Sequence, residues 1–173
     1  MEIEKANVFQ IYSQIATHFD NTRHYKWRSV EDFLDSLPHG SFVLDLGCGN
    51  GRNMENTKHN FIGIDTCKEF LTICASKRLK TVNSDMTTIP FRDNLFDSII
   101  SVASFHHLAT IERRIQAIKE MFRVLKIGGK VFLTVWSINQ PKKTKRNFKN
   151  FGDNYVVWKS DNTSFQRYYY IFK

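Results

Sequence analysis

Residues 43–51 read V-L-D-L-G-C-G-N-G: an apolar run, an acidic residue, then glycines at every second position. Val43, Leu44 and Leu46 suit a buried parallel strand, while Gly47, Gly49 and Gly51 let the backbone turn at positive φ or approach a ligand without a side chain between. This is a nucleotide-site pattern in the broad sense. No Gly-Lys-Ser/Thr follows, and the alternate spacing differs from the dinucleotide G-x-G-x-x-G pattern.

Working outward, strand and helix patterns alternate. Helices are predicted over 7–20, 29–37, 67–78 and 111–125, and strands over 42–46, 60–64, 80–83, 96–102, 131–135 and 167–172. Ser29 is the expected N-cap of the second helix. In the 111–125 helix, Ile111, Ile115, Ile118, Phe122 and Leu125 form the expected core-facing stripe, and Gly128-Gly129 turns out of it. Residues 137–164 read as a long polar connection. The alternation predicts a doubly wound α/β fold with parallel strands. The chain is expected to form one domain over 1–173, with a helical extension (1–40) and a basic loop (137–164).

Ligands of such sheets sit beyond the carboxyl ends of the strands, so the residues there carry the functional reading. Asp65 follows Gly47 by 18 positions, the distance at which a strand-end carboxylate meets a ribose diol. Asp85 can accept from an adenine amino group, with Met86 and Ile89 as apolar cover; for each aspartate taken alone, a turn bracket or helix cap is the competing role. Together with the glycine turn they point to an adenosine. The lack of a phosphate-binding lysine favours a neutral or cationic adenosine cofactor over a nucleoside triphosphate. His106-His107 follows the fourth strand, and one of the two is expected to face the pocket. No H-x-H, H-E-x-x-H or C-x-x-C spacing suggests a metal site, and no G-x-S-x-G elbow suggests a serine hydrolase.

Composition narrows the classes further. The 173 residues are 42% hydrophobic and carry a net charge of +8. Residues 137–173 hold eight Lys or Arg against Asp153 and Asp161, so most of the excess is C-terminal. Lys142, Lys143, Lys145, Arg146 and Lys149 suit phosphate-backbone contacts, or else a solvated loop. No apolar run approaches the roughly 20 residues of a membrane span. The N-terminus lacks the apolar core of a signal peptide, and three cysteines without a pairing pattern suggest a reducing compartment. Cytoplasm is expected, with the nucleus as the alternative.

The glycine turn, Asp65 and Asp85 resemble class I S-adenosylmethionine-dependent methyltransferases, which implies a mostly parallel seven-stranded sheet with helices on both faces and an antiparallel last strand. I-Y-S-Q-I-A-T-H-F-D-N-T-R (11–23) with Trp27, S-F-H-H-L-A-T-I-E-R-R (104–114), Trp136 and Q-R-Y-Y-Y-I-F-K (166–173) are similar to a narrower group, the Trm9 family of tRNA wobble-uridine carboxymethyl methyltransferases. The resemblance implies S-adenosyl-L-methionine as cofactor, with Asp45, Gly47, Gly49, Asn50, Gly51, Asp65, Asp85, Met86 and Ser101 around it. It implies Arg23, His106 and Arg167 at the reacting carboxylate. Trp27, His107 and Trp136 would contact the substrate. It also implies a tRNA anticodon loop as substrate and a Trm112-like zinc-binding activator as partner. That partner would add a strand at the sheet edge near Lys80–Asn83. A small-molecule methyltransferase and a noncatalytic RNA-binding or partner-binding adapter are the alternative functions.

Overall fold

The structure is a computed structural model that describes residues 1–55, 57–140, 148, 150–160 and 163–173. Lys142, Lys143, Lys145, Arg146 and Lys149 lie outside the described residues. The N-terminal segment is helical throughout: α1 (Glu2–Glu4), a π-helical stretch (Lys5–Phe9) and α2 (Gln10–Thr22) run on without interruption. Then follow α3 (Arg28–Asp35), β1 (Phe42–Leu46), β2 (Asn60–Asp65), α4 (Lys68–Ser76), β3 (Thr81–Asn83) and β4 (Phe96–Val102). A 3-10 turn (Phe105–His107), α5 (Ile111–Val124), β5 (Leu125–Thr134), β6 (Gly152–Ser160) and β7 (Thr163–Ile171) complete the chain.

Five parallel strands form the central sheet in the order β3-β2-β1-β4-β5. Its central strands are apolar on both faces, as helices on both sides require: Val43, Leu44, Leu46, Ile99 and Ile100 are fully buried. One core layer joins β1, β4 and α5 through Leu44, Phe96, Ile99, Ala117, Met121 and Val124. The layer on the opposite face brings Val30 and Leu34 of α3 against Val43, Cys74 and Ile100. Reversal of strand order between β1 and β4 opens a crevice at their carboxyl ends, where the glycine turn lies.

Several expectations change. Seven strands are present, but they divide into the parallel five and a separate antiparallel pair, β6-β7. The last strand is antiparallel to β6, and Phe172 meets the chain after β5 through a parallel bridge to Ser137. β6 falls inside the stretch read as polar connection. Its Tyr155-Val156-Val157-Trp158 run has strand composition, but the flanking lysines and asparagines mask it. Helix α3 starts at Arg28 with Trp27 as its N-cap, so Ser29 lies within the helix.

The largest change is in α5. Its buried residues are Arg114, Ala117, Met121 and Val124, and the stripe of Ile111, Ile115, Ile118 and Phe122 faces outward. Both sets have three- and four-residue spacing, so period alone does not choose between them. Two arginines decide. Arg114 Nη1 donates to the Leu108 and Ala109 carbonyls with its guanidinium 3.7 Å over the Tyr170 ring, and Arg113 reaches Glu4 and Asp85. Leu125 is the C-cap of the helix and the first residue of β5.

Candidate active site

A cavity of about 410 Å³ opens at the carboxyl ends of β1, β2 and β4, roofed by the N-terminal helix and walled by β7. The glycine turn forms its floor. Gly47, at φ +71°, lies so close to Ser104 that an added Cβ would stand 1.7 Å from the hydroxyl oxygen. Asn50, next in the turn, donates to the Asp20 carboxylate and to the Arg23 carbonyl, tying the turn to the end of α2.

Asp65 ends β2 at the cavity wall. Its Oδ2 accepts from Gly49 N at 2.8 Å and its Oδ1 from Cys67 N at 2.9 Å, so the carboxylate is fixed with lone pairs left over. Burial raises its pKa despite these bonds. Asp45, buried beneath the turn, is pushed up to about 7, chiefly by burial against a weak 3.5 Å contact from Asn53. Asp85 follows β3. Burial alone would raise it, but the Thr87 backbone and hydroxyl and Arg113 outweigh burial and hold its carboxyl below the usual range.

Tyr12, Phe19, Phe70 and Tyr169 wall the cavity with aromatic faces. Arg167 enters from β7, 2% exposed, with its guanidinium carbon 4.6 Å from the Trp158 ring centre and 5.3 Å from that of Tyr169. Nη1 donates to the Tyr12 hydroxyl at 3.2 Å, whereas Nε and Nη2 have no hydrogen-bond partner among the described residues. Those two nitrogens form one edge of the guanidinium, the edge that grips a carboxylate bidentately. Arg23, half-buried at the mouth, lies 5.3 Å from the Trp158 ring.

Of the two histidines, only His107 reaches the cavity lining. His107 lines the cavity, with Nε2 3.0 Å from the Tyr12 hydroxyl and Nδ1 2.7 Å from the Tyr168 carbonyl. Burial drives its pKa down to about 4. His106, expected at the reacting carboxylate, is fully buried away from the cavity lining, stacked on Tyr169 at 4.7 Å with Nδ1 accepting from Trp136 N. The two rings touch edge to face at 4.6 Å and both pack on Tyr169, and the Tyr168 carbonyl holds the His107 ring at the lining.

The cavity thus gathers Arg23, Trp27, Gly47, Gly49, Asn50, Asp65, Asp85, Met86, His107, Trp136 and Arg167. Asp45, Gly51, Ser101 and His106 stand behind the lining. Ser101 is turned into the sheet, where its hydroxyl donates to the Leu46 carbonyl at 3.2 Å. Sequence reasoning missed Glu4, Arg52 and Tyr169 in the lining and gave Tyr12 no role beyond the apolar stripe of the 7–20 helix. A tyrosine in that stripe was the available signal, because its hydroxyl needs a polar partner when buried.

The donor set suits the cofactor that the sequence resemblance implies. Asp65 can take a ribose diol, Asp85 an adenine amino group with Met86 and Leu108 as apolar cover, and the aromatic faces a sulfonium cation.

Comparison with known proteins agrees with this geometry. Residues 44–133 match the family described as methyltransferase domain. A tRNA (carboxymethyluridine(34)-5-O)-methyltransferase of Schizosaccharomyces pombe is 39% identical over an alignment covering the whole chain and 86% of the relative. A protein of the same name from Arabidopsis thaliana is 45% identical over 80% of the chain, and alkbh8 of Xenopus tropicalis, also so described, is 42% identical over 83%. These two matches span 35% and 23% of the relatives' own lengths. Among solved structures, a SAM-dependent methyltransferase from Methanosarcina mazei shares the fold with a TM-score of 0.68 at 19% identity, over 86% of this chain and 79% of that one. A Haloferax volcanii methyltransferase solved in complex with the Trm112 activator aligns with a TM-score of 0.59 at 22% identity, over 73% and 59%. By its matched methyltransferase domain and its near full-length fission-yeast relative, the chain belongs to the tRNA (carboxymethyluridine(34)-5-O)-methyltransferase family.

Proposed function

We propose that this protein esterifies the carboxylate of 5-carboxymethyluridine at the tRNA wobble position, using the methyl group of S-adenosylmethionine. The observation that carries this reading is Arg167, which lines the same cavity as Asp65 and the glycine turn and whose buried Nε/Nη2 edge has no partner among the described residues. A buried guanidinium with an open bidentate edge is made for a carboxylate.

When bound, the cofactor would supply a sulfonium methyl: a carboxylate oxygen would bond to that carbon as the S–C bond broke, leaving a methyl ester and a neutral thioether with no proton transferred. The residues accordingly position and do not deprotonate. Arg167, braced by Tyr12 and Trp158, holds the carboxylate in line, and Arg23 approaches the same space from the mouth. His107, with its depressed pKa, stays neutral at physiological pH and adds no competing charge beside Arg167. The aromatic walls exclude water, which would otherwise solvate the carboxylate and blunt its attack. Trp27, 41% exposed at the mouth with Arg52 5.7 Å from its ring, suits stacking of a splayed base.

The RNA backbone is assigned to Lys142, Lys143, Lys145 and Arg146 on charge alone, since they lie outside the described residues. A Trm112-like zinc protein is the proposed partner, adding a strand along β3, with the zinc belonging to the partner. That strand lies at the sheet edge, and Val82 on it is 36% exposed. A tRNA substrate places the protein in the cytoplasm or nucleus; no described helix is long and apolar enough to cross a membrane.

The test is transfer of labelled methyl into tRNA lacking the ester, with and without the partner, followed by nucleoside analysis. Base-hydrolysable label on carboxymethyluridine is expected. Label confined to a small-molecule acceptor, or cofactor binding without transfer, would overturn the reading.

A further inference from the structure

Glu4 is a charged residue at the very start of the chain, yet it is 1% exposed. Both its oxygens accept from Arg113 Nε, at 2.9 and 3.0 Å, and Oε1 also accepts from Ala109 N at 2.8 Å. The other end of the same guanidinium is committed to the cofactor wall. Arg113 Nη2 donates to Asp85 Oδ2 at 2.6 Å and Nη1 to the Thr87 hydroxyl oxygen at 3.4 Å, and that hydroxyl donates to Asp85 Oδ1 at 2.7 Å. One arginine therefore bridges two carboxylates that line one cavity.

The bridge joins parts of the chain with different duties. Glu4, Val8, Phe9 and Tyr12 line the cavity from the N-terminal helix, and Asp85 lines it from the loop after β3. Between Glu4 and Tyr12 the helix passes through the π-helical stretch, a local distortion found mostly at functional sites. The nearby Asn7 contact with the Gln166 carbonyl is exposed and weak by comparison. A buried ion pair adds little net stability after its desolvation cost, but losing one partner strands the other. Such a pair is suited to fixing an arrangement.

We propose that Arg113 is a positioning residue that latches the N-terminal helix over the adenosine end of the cavity through Glu4 and, with the same guanidinium, aims Asp85 at the adenine amino group. Cofactor affinity and closure of residues 2–12 are then coupled. This inference rests on the adenosine-cofactor reading above. Asp85 supplies the acceptor, and Arg113 acts through it.

The experiment measures binding of S-adenosylhomocysteine, and of its inosine analogue with a carbonyl in place of the adenine amino group, by calorimetry on the full chain. Hydrogen exchange of residues 2–12 is followed with and without ligand. In the parent protein, S-adenosylhomocysteine should slow exchange in that segment and bind more tightly than the analogue. Glu4→Gln keeps the shape and the Ala109 contact but removes the charge. It should weaken S-adenosylhomocysteine ~10-fold, within the usual range of coupling between sites, and erase the ligand-dependent slowing. Discrimination against the inosine analogue should survive, because Arg113 still holds Asp85. Arg113→Ala should lose affinity, slowing and discrimination together. Should that variant not fold, Arg113→Lys, which keeps charge without the planar fork, should still lose discrimination. Glu4→Gln with parent affinity and parent ligand-dependent exchange would overturn the latch. Failure of the parent chain to bind S-adenosylhomocysteine at all would instead overturn the cofactor reading on which it rests.

Discussion

The guanidinium of Arg167 donates from Nη1 to the hydroxyl of Tyr12 over 3.2 Å, joining β7 to α2 across the cavity. Tyr12 is itself pinned by His107 at 3.0 Å, and burial raises its pKa well above the usual phenol range, so it remains a neutral partner to the cation. Arg167→Lys keeps a charge but loses the two-nitrogen edge. Methyl transfer to tRNA should fall ~10²-fold, the scale of a misplaced reacting group, while affinity for S-adenosylhomocysteine changes little. Steady-state kinetics beside calorimetry would check this, and an equal loss of cofactor affinity would reassign the residue.

Gly47→Ala should disable the cofactor site from within. The new Cβ meets Ser104 at 1.7 Å, in a backbone conformation that side chains rarely adopt. Overpacking and strain of this kind cost roughly 1–3 kcal/mol each. Adding Ser104→Gly should recover part of the thermal stability, since it removes the clash and leaves the positive φ. Full recovery would mean that the φ requirement is negligible.

Asp45 makes stability depend on pH in a defined direction. Burial raises its carboxyl from 3.8 to about 7, so the folded chain holds a proton that the unfolded chain has already released. Folding stability from this group is complete below 3.8, falls as pH rises toward 7, and is level above that. Asp45→Asn should therefore stabilise the ligand-free protein at pH 8 by on the order of 1–3 kcal/mol and change little near pH 4. Denaturant unfolding at both pH values would show it. A loss of stability at pH 8 would mean that the ionised carboxylate is compensated in solution.

Thr81→Pro should separate partner binding from cofactor binding. The Lys80 carbonyl accepts from Gly63 N, and Ser84 N donates to the Asp65 carbonyl. Alternation along β3 therefore turns the Thr81 backbone outward, where proline removes a donor without touching the inner ladder. Co-purification with a Trm112-like protein should be lost while S-adenosylhomocysteine affinity stays within about twofold, less than the 1.4 kcal/mol that a tenfold change represents. Undiminished co-purification would exclude β3 as the docking strand.

What the amino-acid sequence determined by itself was local in origin. The apolar run into Gly47, Gly49 and Gly51, the carboxylates of Asp65 and Asp85 just past their strands, and the strand–helix alternation all rest on short-range sterics and hydrophobic periodicity. These sufficed to point to a cofactor site beyond the ends of β1, β2 and β3. Tertiary structure decided the rest, because the deciding contacts span most of the chain. The outward face of α5 was settled when Arg113 found Glu4, 109 positions away. His107 was chosen over His106 by the Tyr168 carbonyl, 61 positions on, and β6 emerged from a lysine-rich stretch only through pairing with β7. The open edge of Arg167 belongs to the same class. A sequence states that an arginine is present, but only packing against Trp158, Tyr12 and Tyr169 leaves two of its nitrogens buried without a partner among the described residues.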